Sequence, residues 1–211
     1  MRTTYNLIAG QSVERLAALS DGVFAFAMTL LVLDLKAPAS EAIHNEQGLW
    51  LALSGLAPRL LMYVMSFITL GIFWVGQQSQ LNHLQRSDRG LSWIHLVFLF
   101  FVTVIPFSTA LLAEFTAYRI ALVVYWFNIF CLGATLYVSW ICAVNSRLVK
   151  DDIPKQVSTA IKKRIVIAQA LYALGALLCL IDTYWSIAFI VLVQLNYALA
   201  PRLPWSRGAT V

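Results

Sequence analysis

Side chains able to do acid–base, nucleophilic or metal chemistry are sparse in this chain, and they do not cluster. There are three histidines: His44 and His83 in polar stretches, and His95 near the start of an apolar one. Cys131, Cys142 and Cys179 all fall inside apolar runs. They follow neither a zinc spacing nor a disulfide framework, and they read as small packing residues. There is no HExxH, no GxxxxGK[ST] phosphate loop and no GxSxG elbow. An enzyme is not expected, and neither is a metal or a cofactor.

One ionisable constellation stands out because of where it sits. Arg15-Leu-Ala-Ala-Leu-Ser20-Asp21 runs directly into Gly-Val-Phe-Ala-Phe-Ala-Met-Thr-Leu-Leu-Val-Leu33. Charges inside an apolar span are costly, so they pair or face a polar interior. Arg15 and Asp21 are six residues apart and do not share a helix face. Each is expected to find partners on neighbouring helices, with Ser20, Trp74, Gln77, Gln78 and His95 as candidates. The plain reading is a polar packing cluster; the sharper one puts Asp21 on an ion or proton path. Beyond Asp21 no charge occurs until Asp34. At about 100° per residue, Phe26, Leu30 and Leu33 fall within about 60° of one another, with Thr29 at the edge and Asp21 roughly opposite. By itself, such a seam reads as helix packing or lipid contact.

The elements that must position these residues follow from composition. Of the 211 residues, 60% are apolar and 12% charged, against about 25% charged in soluble domains. A small soluble fold keeps too much surface exposed to hide that much apolar side chain. The solvent is therefore lipid, which admits helices or closed barrels. Long continuous apolar runs, rather than alternation, select helices. Six spans are predicted: about 13–35, 51–77 (its start at Leu51 or Pro58), 91–113, 117–144, 165–181 and 184–200. The last two form a hairpin turning at Asp182 and Thr183. Met1 to Glu14 lack the apolar stretch of a cleavable signal. With six spans, twelve of the fifteen Lys and Arg lie on the side of both termini: Arg2, Arg15, Arg86, Arg89, Arg147, Lys150, Lys155, Lys162, Lys163, Arg164, Arg202 and Arg207. Lys36, Arg59 and Arg119 lie opposite. That bias predicts cytoplasmic termini in a multi-pass protein of the cell membrane. It also accounts for the net charge of +5 without nucleic acid; anionic lipid is the expected partner.

The segment from Arg15 to Leu35 resembles the signature of the transmembrane protein 175 family, the lysosomal potassium channels and their short bacterial homologues. That signature is RxxxFSD followed by G-V-F-A and an apolar run; Arg15, Ser20, Asp21 and Gly22-Val-Phe-Ala25 match it in register. Phe73-Trp74 and Pro106-Phe-Ser-Thr-Ala110 are similar as well. Leu19 stands where the family has Phe, Phe26 where Ile or Leu is usual, and Gln77 and Gln78 where a His pair often follows the Trp.

The resemblance implies an all-α, six-helix subunit that assembles as a homotetramer around a central pore. The first helix would line it, with Phe26 at an apolar constriction, Leu30 and Leu33 as further layers, and Thr29 as a nearby hydroxyl. Arg15, Ser20, Asp21, Trp74 and His95 would form a network holding that helix. The permeant ion would be potassium, weakly preferred over sodium, with monovalent cations, membrane lipids and copies of the chain as partners. No TVGYG carbonyl filter is present; an apolar ring can still discriminate, because sodium sheds its water less readily, and it can gate by dewetting. Two alternatives stay open: a proton-conducting channel or secondary transporter using Asp21, and a membrane assembly factor or enzyme without flux.

Overall fold

The computed structural model describes residues 12–40 and 43–199; Arg2, Arg202 and Arg207, which enter the charge count above, lie outside them. The described chain is helical. Its α-helices are α1 (Val13–Leu31), α2 (Glu46–Gly55), α3 (Ala57–Leu81), α4 (Arg89–Glu114), α5 (Arg119–Asn145), α6 (Lys155–Leu177) and α7 (Thr183–Leu199). Short 3-10 turns extend α1 (Val32–Asp34) and α6 (Leu178–Leu180).

Five of these helices, counting the 3-10 extensions, are long and apolar enough to cross a membrane; α7 is apolar but has 17 residues, the short end of what spans about 30 Å of hydrocarbon.

The helix starts follow from local chemistry. Ser12, Asn45 and Asp88 cap α1, α2 and α4, their side-chain oxygens accepting from the N–H groups of Arg15, Gly48 and Leu91, which are otherwise orphaned in the first turn. Pro58 sits in the first turn of α3, where its missing N–H costs nothing. The predicted second span is thereby divided. The chain before Pro58 forms the separate α2, too short to cross a membrane at about 1.5 Å per residue, with Trp50 and Leu51 exposed. The fifth predicted span, α6, begins ten residues earlier than the apolar run suggests, at Lys155. Lys and Arg are good helix formers, so polarity ends the apolar run without ending the helix.

α1, α3, α4 and α5 share the main core with parts of α6 and α7. Pro106 interrupts the ladder of α4, and Asn128 of α5 reaches into the break. With its amide oriented to satisfy both groups, Asn128 donates to the Phe101 carbonyl (3.2 Å) and accepts from the Ile105 N–H (3.2 Å). α5 ends in a Schellman turn. The Leu148 N–H donates to Ala143 O (2.9 Å) and the Arg147 N–H to Val144 O (3.1 Å), with Arg147 at φ 53° in the left-handed position glycine usually fills. The strand-like stretch that follows pairs with the α3–α4 loop. Gln85 N–H donates to Leu148 O (2.9 Å) and Lys150 N–H to His83 O (3.1 Å). At the opposite end of the bundle, Arg59 of α3 pairs with Glu114 of α4.

In the final hairpin, Asp182 caps α7 through the Tyr184 N–H (2.7 Å). A β-carbon at Gly175 would lie 2.9 Å from Ile190, so glycine permits the close approach of α6 and α7.

Candidate pore helix and its polar anchor

α1 carries one narrow buried stripe: Ser20, Phe24, Ala27 and Leu31. The 4-3-4 spacing places them on one face of an α-helix. Phe24 packs against Phe98 of α4 (ring centroids 6.0 Å), which also meets Phe73 of α3 (6.4 Å). Among the described residues nothing covers the opposite face. Phe26 is 64% and Leu33 68% exposed, Thr29 is exposed between them, and Leu30 is half-buried on the flank. The Thr29 hydroxyl donates to the Phe26 carbonyl (2.8 Å), which leaves its oxygen lone pairs facing outward.

The stripe is fixed in register by a polar anchor. Ser20, at 0% exposure, is where α1, α3 and α4 meet. Gln77 Nε2 donates to Ser20 Oγ (2.7 Å), and His95 Nε2 lies 2.6 Å from the same oxygen. The hydroxyl itself is within reach of the Leu16 carbonyl (2.8 Å). If it donates to Leu16, His95 must present its Nε2–H, and Ser20 then gives one bond and takes two, its full capacity. Gln77 is half satisfied, because its Oε1 is buried without a partner.

Asp21 is the next residue but belongs to a different face. Its Oδ1 accepts from Trp74 Nε1 (2.8 Å) and Gln78 Nε2 (2.7 Å), one turn apart on α3. The carboxylate is held at the helix flank, exposed in the single chain. Arg15 is exposed too; its backbone N–H donates to Ser12 Oγ (3.2 Å), and among the described residues its guanidinium makes no hydrogen bond or ion pair. Ser20 and His95 therefore meet directly and Asp21 meets Trp74, while the Arg15 guanidinium joins neither set.

A second buried polar layer escaped the sequence reading. Thr109 of α4 donates to Ser66 of α3 (2.7 Å), Ser66 to the Tyr125 hydroxyl of α5 (3.1 Å), and Gln194 of α7 to Thr69 of α3 (2.6 Å). The signal was present: Gln194 is an amide inside an apolar run, and such residues in lipid are expensive unless bonded across helices. The described residues hold no cluster of His, Cys, Asp or Glu able to bind a metal ion.

Comparison with known proteins follows this geometry. The family described as the endosomal/lysosomal potassium channel TMEM175 matches residues 15–106, from α1 to the proline of α4. A Streptomyces collinus protein named as a potassium channel is 43% identical over 101 residues, covering 48% of each chain, so the match spans about half of that relative. A Chamaesiphon minutus protein named as a potassium channel is 30% identical over 189 residues, covering 88% of this chain and 93% of that one. The crystal structure of a lysosomal potassium-selective channel TMEM175 homolog from Chamaesiphon minutus superimposes with a TM-score of 0.78 at 29% identity, over 90% of this chain and 98% of that one. The family is one of ion channels rather than enzymes, and the cation-channel reading rests on it. An all-helical chain, a first helix bearing Arg15, Ser20 and Asp21, and a likeness extending over nearly the whole of a related protein leave one assignment: this multi-pass membrane protein belongs to the TMEM175 family.

Proposed function

We propose that this chain is the subunit of a potassium-preferring channel in which α1 from four copies lines a central pore. The observation that carries the reading is the division of α1 into two faces. One is bonded to α3 and α4 through Ser20 and packed through Phe24. The other presents Phe26, Thr29 and Leu33 to nothing among the described residues. One helix cannot enclose a path, so a pore built on this face requires further copies. The likeness to a potassium-selective homolog over 90% of this chain supports the same arrangement. In this reading α7 is the sixth span, both termini are cytoplasmic, and the protein resides in the cell membrane.

Phe26 forms the narrowest ring, Leu30 and Leu33 the layers beyond it, and the outward lone pairs of Thr29 a polar rung beside the constriction. Arg15 and Asp21, exposed on the flanks of α1, are placed to meet a neighbouring copy. An apolar ring offers no substitute for the hydration shell, so it favours the ion that gives up water more readily, potassium over sodium, and closes by dewetting.

The test is ion flux from proteoliposomes together with single-channel recording in planar bilayers. Gradient-driven potassium efflux is expected, and Phe26→Asn should raise conductance and reduce the preference over sodium. Currents indifferent to Phe26→Asn would remove α1 from the pore. Proton flux that Asp21→Asn abolishes, without potassium current, would favour the proton-pathway alternative.

A further inference from the structure

The channel reading gives α2 no task. Its sequence, Glu-Gln-Gly-Leu-Trp-Leu-Ala-Leu-Ser-Gly, carries one charge, at Glu46, and among the described residues none of its side chains is buried. Trp50 is 67% and Leu51 72% exposed, and Leu49 and Leu53 are exposed as well. At about 100° per residue these four point over more than half of the helix circumference. A helix lying in the surface of a bilayer sets a strongly charged face against its apolar one, and α2 has no such face. At about 15 Å it also reaches only half-way across the hydrocarbon. A helix that is apolar around most of its girth is stable where other chain buries it.

A surface of matching chemistry lies at the same end of the bundle. The turn between α4 and α5 forms an open groove of about 420 Å³, lined by Leu111, Phe115, Tyr118, Ile120, Ala121 and Val124. Glu114 and Arg119, beside these residues in the sequence, do not line it. Phe115 and Tyr118 meet edge to face with ring centroids 6.0 Å apart, a firm aromatic wall. The depths agree. α2 ends at Gly55 and α3 begins at Ala57; Arg59, in the first turn of α3, pairs with Glu114, the residue before Phe115. Trp50, two-thirds exposed, does not fill the groove of its own chain. Only the segment 35–45 separates α2 from α1 and its extension, so a copy that abuts the exposed face of α1 comes within reach of α2.

From this we propose that α2 docks in the α4–α5 groove of a second copy, with Trp50 as the anchor against Phe115 and Tyr118. The giving and receiving surfaces differ, so the contact runs head to tail and closes into a ring in which each copy gives one helix and receives one. The proposal rests on the four-copy arrangement above, to which it adds a collar at the end of the bundle away from the termini. It does not depend on which ion crosses.

The test is cross-linking between copies of the full chain in membranes, with Cys131→Ala, Cys142→Ala and Cys179→Ala as background. Two differently tagged forms are co-expressed, one with Leu53→Cys and the other with Ile120→Cys, which leave Trp50, Phe115 and Tyr118 in place. A short bis-thiol reagent should give a product bearing both tags, which can only join two copies. Ile181→Cys in place of Ile120→Cys should give none. Ile181 is also exposed and lies at the same end of the bundle, but in the α6–α7 turn. Separately, Trp50→Ser should weaken association between copies at least about tenfold, read by native mass spectrometry across a dilution series, with helix content unchanged. An oligomer in which Leu53→Cys never joins Ile120→Cys, or joins Ile181→Cys equally well, overturns the docking and leaves the channel reading standing. An oligomer indifferent to Trp50→Ser does the same and assigns α2 to lipid. A chain that stays monomeric throughout overturns both.

Discussion

Removing the Ser20 hydroxyl tests whether one buried oxygen sets the register of α1. In Ser20→Ala, Gln77 Nε2 and His95 Nε2 both lose the partner they hold at 2.7 and 2.6 Å. Two buried groups left unpaired would cost about 1–3 kcal/mol each. Gln77 Nε2 and His95 Nε2 already lie 3.1 Å apart; once the Ser20 oxygen is gone the His95 proton can move to Nδ1, and Nε2 then accepts from Gln77, which leaves one group unpaired rather than two. Ser20→Ala should therefore destabilise the subunit by about 2 kcal/mol. Gln77→Met should cost at least about 1 kcal/mol less, because Gln77 Oε1 has no partner to lose and its removal relieves a standing penalty. The double variant should be less destabilised than the sum of the singles, by a coupling of about 0.6–1.7 kcal/mol, the range for hydrogen bonds between membrane helices. The assay is reversible unfolding in mixed micelles, run as a double-mutant cycle. Additive singles, or a Gln77→Met cost equal to that of Ser20→Ala, would refute the view that Ser20 is the hub.

Three further outcomes follow from the packing. Gly133→Ala places a β-carbon 1.8 Å from Gln169 Nε2 and should cost about 1–3 kcal/mol by overpacking; adding Gln169→Ala should recover most of that loss in the same unfolding assay. Arg147→Gly should be neutral or stabilising by up to about 1 kcal/mol and Arg147→Val destabilising, because the left-handed C′ position penalises a β-branched residue most. Asp88→Ala should lower stability by about 1 kcal/mol and Asp88→Asn by much less, since either side chain can cap the Leu91 N–H; hydrogen exchange confined to the first turn of α4 would report the loss locally.

The sequence by itself determined the solvent and the all-helical class, and it singled out α1 by its motif. These depend on local quantities: how many consecutive residues tolerate lipid, and where a charge interrupts them. It also offered Ser20, Trp74, Gln77, Gln78 and His95 as one unsorted set of partners for Arg15 and Asp21, although among the described residues none of them meets the Arg15 guanidinium. Tertiary structure divided them, giving Gln77 and His95 to Ser20, and Trp74 and Gln78 to Asp21. The reason is rotational. Neighbours on a helix point about 100° apart, so Ser20 and Asp21 cannot share a partner face, while Trp74 and Gln78, four apart, can. The second polar layer around Ser66, Tyr125 and Gln194 was likewise decided by packing, whereas the division at Pro58 and the early start of α6 at Lys155 follow from local chemistry that hydropathy alone does not register. In lipid an apolar face packed on a neighbour and one turned to acyl chains have the same composition. Which face of α1 is buried, and that Phe26 and Leu33 stand clear of the other described helices, could be fixed only once the helices had met.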